Sequence, residues 1–391
     1  MRTKFKRLRH KVGTIIKHSI NALFIKNRRK LFFDSFPDYS DNSRAFSDFL
    51  LDNGYTSKYI IYWAVNSIPE YKDERIHFVL KKDRFRYFFH TVTSFFLFST
   101  HGAFNWCNPH LQKFVCFFHG SALKKFCRMQ NSDNEYYLEQ AWKFTAPSDF
   151  YVDVFAQAFG RKKEDILLLG YPRCDLLFQP KDSLKRIGIE SKSDTKIVVY
   201  MPTFRQPVSG AYEDSKKNVF EEDFIRFSDP VNIEKWNLFF SERNIILIVK
   251  PHPSESNVVK CDNCPNIRVI TNDDLQHHNV QLYSLLANAD ALITDYSSVS
   301  CDYLLLDRPI GFVITDIEEY EHGRGFVFDP PTDYMPGSII SNEREFMEFF
   351  NDIHQGKDKT IEKRDQLKLI FNKYNDGKNC ERIAETIGLG R

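Results

Sequence analysis

Ala291-Leu292-Ile293-Thr294-Asp295-Tyr296-Ser297-Ser298-Val299-Ser300-Cys301-Asp302-Tyr303 runs an apolar strand pattern into a hydroxyl-rich turn and then into a helix pattern, with no linker between them. A strand feeding directly into a helix is the repeating unit of an α/β fold. The junction also has a chemical use. Helix N-termini leave backbone N–H groups unpaired and carry partial positive charge, and Thr294, Ser297 and Ser298 add hydroxyl donors there, so the segment can hold a phosphate.

The same grammar repeats outward from this point. Lys196–Met201, Ile245–Val249, Ile267–Ile270, Ala291–Thr294 and Pro309–Ile314 read as strands, with helices expected at Val231–Phe240, Gln281–Ala289 and Val299–Leu306. A polar stretch from Gln179 to Thr195 separates this block from an earlier one. There Leu31–Phe36, Tyr59–Val65, Ile76–Leu80, Phe95–Thr100, Phe114–Phe118 and Ile166–Leu169 read as strands, with helix patterns at Asn42–Leu51, capped by Asp41 or Asn42, and at Glu135–Lys143. A chain of 391 residues exceeds what one core usually supports. The expected organisation is two Rossmann-like domains, 31–185 and 194–375, facing a cleft lined by the carboxyl ends of their strands. Amphipathic helices follow at Asn342–Ile353 and Ile361–Ile387, with 376–391 a C-terminal helix returning to the first domain.

The net charge of +2 hides an asymmetry: residues 1–30 hold 11 Lys or Arg and no acid, leaving 43 basic and 52 acidic residues, a net −9, in the rest. A basic arm on a mildly acidic body suits an anionic surface, phospholipid or nucleic acid. Phe5, Leu8, Val12, Ile15, Ile16, Ile20, Leu23 and Phe24 recur at helical spacing with Lys4, Arg7, Lys11 and Lys17 between them. That pattern predicts a basic amphipathic helix lying on a membrane, with no nucleic acid as partner, although the same stripe would serve a core. No stretch reaches the ~20 apolar residues of a membrane span, so the chain is expected to be a peripheral membrane protein at most. The N-terminus also lacks the contiguous apolar run of a secretory signal.

Several classes are excluded. Neither half carries G-x-G-x-x-G after its first strand, and G-x-x-x-x-G-K-[ST] is absent, which argues against dinucleotide oxidoreduction and P-loop hydrolysis. The eight cysteines are too scattered for a disulfide framework, which points to a reducing compartment, and the lone pair Cys261 and Cys264 reads as a turn rather than a zinc site. The 37 Phe are an excess that codon bias could supply.

Four segments place polar residues directly after strands: Cys116 to Lys125, Tyr200 to Arg205, Ile248 to Pro253, and Thr294 to Ser298. Their histidines, cations and hydroxyls suit transfer of a phosphate-containing group, with imidazole taking a proton from an attacking alcohol. His119 is the candidate base. Gly120 permits close backbone approach beside it, and Lys124 with Lys125 bring positive charge. His252 is held between prolines in Lys250-Pro251-His252-Pro253, and Arg205 can pair with phosphate oxygens. Asp295 is a further candidate at the substrate site, for a metal or, by preference, in a capping or turn role at the helix beginning near Ser298. No tightly bound metal or cofactor is implied, with Mg²⁺ allowed for as companion of a diphosphate.

Together these segments resemble the CDP-glycerol and CDP-ribitol phosphotransferases that prime and extend teichoic-acid-type polymers. The family's H-G-T-P-L-K motif is similar to His119–Lys124, its A-P-T-[FW]-R motif to Met201–Arg205, and its T-D-Y-S-S motif is identical to Thr294–Ser298. Weaker echoes are Tyr39–Ser43, Gly170–Asp175, and Arg324-Gly325-Phe326 ahead of Pro336-Gly337. The resemblance implies a GT-B-like architecture, with an acceptor-side domain first and a CDP-alditol-binding domain second. It implies that His119 activates an acceptor hydroxyl for attack on the β-phosphate with CMP leaving. His252, Thr294, Ser297 and Ser298, with Arg205, would hold the diphosphate, in synthesis of teichoic acid or capsule on a lipid-linked or polysaccharide acceptor. Ser121-Ala122 in place of Thr-Pro, and Phe118 where Trp commonly precedes the His, leave the acceptor's identity open. The alternatives are a glycosyltransferase of the same fold using a nucleotide sugar, and a non-catalytic membrane-binding scaffold.

Overall fold

The computed structural model describes residues 2–130, 138–179, 181–203, 224–225, 229–252, 263–323 and 325–391, with backbone alone for 2–7, Pro230 and Glu319. Arg205 and Cys261 therefore lie outside the described residues. The chain forms two compact units, each built on one parallel sheet. The first comprises Met1–His119, Asn134–Asp175 and Lys378–Arg391, and the second Gly120–Asp133 and Leu176–Gly377. The division differs from the one expected at the polar stretch 179–195: it falls at Asp175, and the segment after His119 belongs with the second unit.

In the first unit, strands β1 (Asn27–Phe33), β2 (Ile60–Val65), β3 (Ile76–Leu80), β4 (Ser94–Ser99), β5 (Lys113–Cys116), β6 (Lys143–Ala146) and β7 (Ile166–Leu168) lie in the order β3-β2-β1-β4-β5-β6-β7. Leu31 pairs with Ile61 on one side and Phe96 on the other, which places β1 in the interior of the sheet. Strands buried on both faces read as continuous apolar runs, which is why Leu31–Phe33 and Phe96–Phe98 lack alternation. The phenylalanine excess is structural here: Phe33 stacks on Phe98 at 4.7 Å and on Trp63 at 5.4 Å, and Phe46 meets Phe117 at 5.4 Å. Truncating one such ring costs about 3–5 kcal/mol.

The helix expected at Glu135–Lys143 is corrected over its described part. Residues 138–140 form a turn, and Lys143 opens β6 instead. The run Phe85–Phe98 divides into a helix, Arg84–Thr93, whose first turn is capped by Asp83, and strand β4. The C-terminal helix Asn379–Ile387 belongs to this unit. Asp175 receives its first backbone N–H groups, Asn379 N at 2.8 Å and Cys380 N at 2.7 Å, and so caps it from a distant part of the chain.

The N-terminal helix Arg2–Ala22 turns a polar side toward its own unit. His10 meets Glu139 at 2.7 Å, Thr14 donates to the same carboxylate at 3.0 Å, and Asn21 donates to Gln112 at 2.7 Å. Leu8, Val12, Ile15 and Ile16 stay between 49% and 65% exposed. These four residues therefore do not pack into this unit's core, whereas Phe24, at the end of the stripe, meets Phe88 edge to face at 5.7 Å. No helix among the described residues is long and apolar enough to cross a membrane.

In the second unit, β8 (Lys196–Met201), β9 (Ile245–Val249), β10 (Ile267–Val269), β11 (Ala291–Thr294), β12 (Ile310–Val313) and β13 (Ser338–Ile340) lie in the order β10-β9-β8-β11-β12-β13. Helices Pro230–Ser241 and Glu343–His354 cover one face, where Trp236 and Phe346 meet edge to face at 5.2 Å. Of the cysteines, Cys107, Cys116, Cys127, Cys174, Cys301 and Cys380 are free, whereas Cys264 is disulfide-bonded, which departs from an all-thiol reading.

Candidate active site

Both sheets reverse direction beside their first strand. In the second unit the chain moves outward from β8 to β10, then returns to lay β11 against the other side of β8. Ligands of open α/β sheets bind outside the strands' carboxyl ends at such a switch point. The residues leaving β8 and β11 there are Thr203 and Thr294–Ser298.

Two of these residues hold the crevice together. Thr294 is fully buried and its hydroxyl donates to Met201 O at 2.7 Å. Its expected role as a phosphate donor is corrected, because that proton is spent on the neighbouring strand. Asp295, 2% exposed, receives Thr203 N at 2.9 Å and Thr203 Oγ1 at 2.8 Å. The capping role preferred for Asp295 is likewise corrected: its carboxylate ties two strand ends, while Ser298 is the N-cap of helix Val299–Tyr303, without a side-chain cap bond. Ser297 and Ser298 are part-exposed, so their hydroxyls and the adjacent N–H groups remain the accessible donors. The helix has five residues, continued by a 3₁₀ turn at Leu304–Leu306, so these local donors matter more than any dipole.

Lys124, Lys250 and Asp295 gather around His252, which follows the end of β9. It is solvent-exposed, yet the protein crowded around it takes its pKa down to about 4, through desolvation first and then Lys124 and Lys250, with Asp295 opposing. The imidazole is neutral at pH 7 and can donate one N–H; a diphosphate beside it would draw the pKa back up. Lys250 is 3% exposed, burial lowers its pKa to about 8, and its Nζ donates to Pro251 O at 2.9 Å. It therefore supplies field rather than an outstretched cation. Lys124 is part-exposed and lies with its Nζ 5.8 Å over the Tyr320 ring. Its segment is pinned by Val327 N donating to Leu123 O at 2.8 Å, by Lys125 N donating to Gly325 O at 3.0 Å, and by Cys301 Sγ to Ser121 O at 3.6 Å. These bonds join Ser121–Lys125 to Cys301 and to the echo at Gly325-Phe326 within the second unit.

In the first unit His119 stands exposed just beyond β5, after Phe118, whose φ of 57° is left-handed, and before Gly120 at φ 140°. Such a turn projects the imidazole from the sheet edge, and Gly120 occupies backbone space that a side chain disfavours. His119 Nδ1 lies 3.4 Å from Thr100 O. A carbonyl can only accept, so this contact places the proton on Nδ1 and leaves Nε2 as the basic nitrogen. The loop backbone is held on both sides. Asn42 Nδ2 donates to Phe118 O at 2.9 Å, and Arg173 Nη1 donates to His119 O at 3.1 Å and to Asp41 at 2.8 Å. Asn42, expected as a helix cap, is used here instead, and Ser40 is the N-cap. The echoes Tyr39–Ser43 and Gly170–Asp175 thus converge on the loop that carries His119.

One group escaped the sequence reading. At the β1/β4 switch point Asp34 lies 2.7 Å from Lys81 Nζ, accepts from Tyr87 OH at 3.2 Å, and sits 4.0 Å from His101 Nε2. Burial pushes the Asp34 carboxyl up to about 6 against the pull of Lys81, and burial, Lys81 and His119 push His101 down to about 4. The signal was present: Thr100-His101-Gly102 follows β4 as Phe118-His119-Gly120 follows β5. Among the described residues no three His, Cys, Asp or Glu converge as metal ligands.

Comparison with known proteins agrees with the motifs. The chain is 24% identical over 97% of its length to the teichoic acid glycerol-phosphate transferase of Staphylococcus aureus (strain NCTC 8325 / PS 47), covering 99% of that protein. It is 28% identical over 60% of its length to the teichoic acid ribitol-phosphate primase of Bacillus spizizenii (strain ATCC 23059 / NRRL B-14472 / W23), of which it spans 55%. A structure of the wall teichoic acid polymerase TagF shares the fold, with a TM-score of 0.74 at 21% identity over 99% of this chain and 97% of that one. The sequence pattern of the CDP-glycerol:poly(glycerophosphate) glycerophosphotransferases matches residues 16–389, nearly the entire chain, and the protein belongs to that family.

Proposed function

We propose that the protein transfers glycerol phosphate or ribitol phosphate from a CDP-alditol to a hydroxyl of a lipid-linked or polysaccharide acceptor in cell-surface polymer synthesis, releasing CMP. The observation that carries the reading is His119: an exposed imidazole whose Nδ1 is committed to Thr100 O, leaving Nε2 to accept the acceptor's proton. That nitrogen takes the hydroxyl proton as the oxygen attacks the β-phosphate and the bond to CMP breaks. Ser297, Ser298 and the neutral His252 donate to the diphosphate oxygens, Lys124 offsets their charge, and Lys250 acts through its field. Positioning and charge stabilisation carry such phosphoryl transfer without a covalent enzyme intermediate. Mg²⁺, where bound, would accompany the donor diphosphate as its counter-ion.

The same reading places the protein on the cytoplasmic membrane face. Leu8, Val12, Ile15 and Ile16 point away from their unit with Arg9 and Lys11 beside them, the arrangement of a helix lying in an anionic interface. Binding of the intact protein to anionic vesicles, weakened by salt, is expected; equal binding to neutral vesicles would contradict it.

The test is CMP release from CDP-glycerol, CDP-ribitol and UDP-sugars, each with a lipid-linked saccharide acceptor. The expected result is turnover with a CDP-alditol and a loss of about 10²- to 10⁴-fold in His119→Ala with unchanged circular dichroism. Turnover of a UDP-sugar instead would replace the reading with that of a glycosyltransferase.

A further inference from the structure

The first unit has its own switch point. Its chain moves outward from β1 to β3 and returns to place β4 against the free side of β1. The rule that directs attention to Thr203 and Thr294–Ser298 in the second unit directs it here to the strand ends at Phe33 and Ser99. Nothing in the motif comparison above concerns the residues found there.

Their chemistry is specific. Lys81, immediately after β3, lies 2.7 Å from Asp34 and 3.2 Å from Asp38. Two carboxylates answer one ammonium, so the group is not a direct phosphate site, but it can both donate to and accept from hydroxyls, those of a terminal glycerol or of a sugar alike. Asp34 is 4% exposed and serves as the buried anchor; Asp38, Lys81 and His101 keep 17%, 23% and 30% of their side chains exposed. Phe36 stands 62% exposed with its ring centroid 6.3 Å from that of His101, an apolar face beside a polar group. Hydrogen-bonding groups next to an exposed aromatic ring suit a polyhydroxylated ligand, whose hydroxyls lie on its edges and whose C–H groups can cover a ring. The location also has a consequence for the reaction, because His119 is anchored on Thr100, the residue before His101.

We propose that this switch point binds the hydroxyl-bearing end of the acceptor, with Asp38, Lys81 and His101 contacting its hydroxyls, Phe36 covering its carbon face and Asp34 positioning Lys81. The word acceptor rests on the phosphotransferase reading; the binding of a polyhydroxylated unit does not.

The experiment titrates the full-length protein with two probes, an alkyl-linked glycerol-phosphate dimer and an alkyl-linked N-acetylhexosamine disaccharide, following binding by ligand-observed NMR so that no turnover is needed. Binding of one probe by the wild type is expected, weakened fivefold or more in His101→Gln and in Phe36→Ala, with the Kd for CDP-glycerol changed less than twofold. Which probe binds distinguishes an alditol end from a sugar end. Phe36 is exposed, so its variant tests the surface without disturbing the fold. Failure of the wild type to bind either probe, or binding by both variants as tight as the wild type's, overturns the assignment. Absence of CMP release by the wild type would instead overturn the transferase reading alone.

Discussion

Arg173 holds His119 in place: one Nη1 donates to the His119 carbonyl at 3.1 Å while it also binds the Asp41 carboxylate at 2.8 Å. Arg173 is 6% exposed, and its own backbone N–H donates to Asn42 Oδ1 at 3.1 Å. A lysine cannot reproduce the guanidinium's fixed fork. Arg173→Lys is expected to lower kcat about 10- to 100-fold with little change in the Kd for CDP-glycerol, because it displaces the base and leaves the donor residues alone. Calorimetry and initial rates check this. A change confined to donor affinity would contradict it.

The bonds from Thr203 to Asp295 tie the ends of β8 and β11. Hydrogen bonds to an ionised partner are worth about 1.5–3 kcal/mol, so Thr203→Val and Asp295→Asn should each destabilise on that scale. A double-mutant cycle by urea unfolding should give a coupling of about 1 kcal/mol or more. Additive effects would show that the two residues act separately.

Acid sensitivity follows from the histidines. His90, between the rings of Phe32 and Tyr62, has its pKa taken down to about 4 by burial and then by Lys30. Its folded pKa lies below its ordinary 6.5, so the unfolded chain binds the extra proton and stability should rise with pH from about 4 to 6.5, then level off. Asp34, raised from 3.8 to about 6, acts with the opposite sign over its own window, because there the folded state binds the extra proton. His90→Phe removes one rising contribution. The slope of stability against pH between 4 and 6.5 should fall by roughly 0.5–1 kcal/mol per pH unit, less than a full proton because the ring is part-exposed. An unchanged slope would place the acid-sensitive groups elsewhere.

Gly337 is a packing requirement. A Cβ built there would lie 2.1 Å from the Ile310 carbonyl oxygen, a backbone atom of β12 that cannot move aside alone. Gly337→Ala should therefore cost about 2 kcal/mol or more through displacement of β13. A urea midpoint equal to that of the wild type would show that the edge strand absorbs the change.

Much of this molecule is legible without coordinates, and the reason is local. Apolar runs such as Ile245–Val249 and Ala291–Thr294 carry their strand character in themselves, and a His-Gly or Ser-Ser placed directly after one announces a residue at a sheet edge. The missed elements are equally instructive. β6, Lys143-Phe144-Thr145-Ala146, and β13, Ser338-Ile339-Ile340, hold at most two adjacent apolar residues, so no apolar run marks them, and their strand character comes from pairing with β5 and β7 and with β12. His101 has the same grammar as His119, but its meaning depends on Asp34 and Lys81, which arrive from two other strand ends.

The alternation of strands and helices, the two-unit α/β organisation, and the candidacy of His119, His252, Ser297 and Ser298 can all be read from the chain, because each is written within a few neighbouring residues. Tertiary structure alone decided strand order, and with it the two switch points. It turned the Thr294 hydroxyl inward to Met201, gave Asp295 to Thr203 rather than to a helix end, and brought Arg173 to His119. It also turned Leu8, Val12, Ile15 and Ile16 of the N-terminal helix outward. These are contacts between residues far apart in the chain, and their partners are chosen by the packing of whole sheets, which no local period encodes.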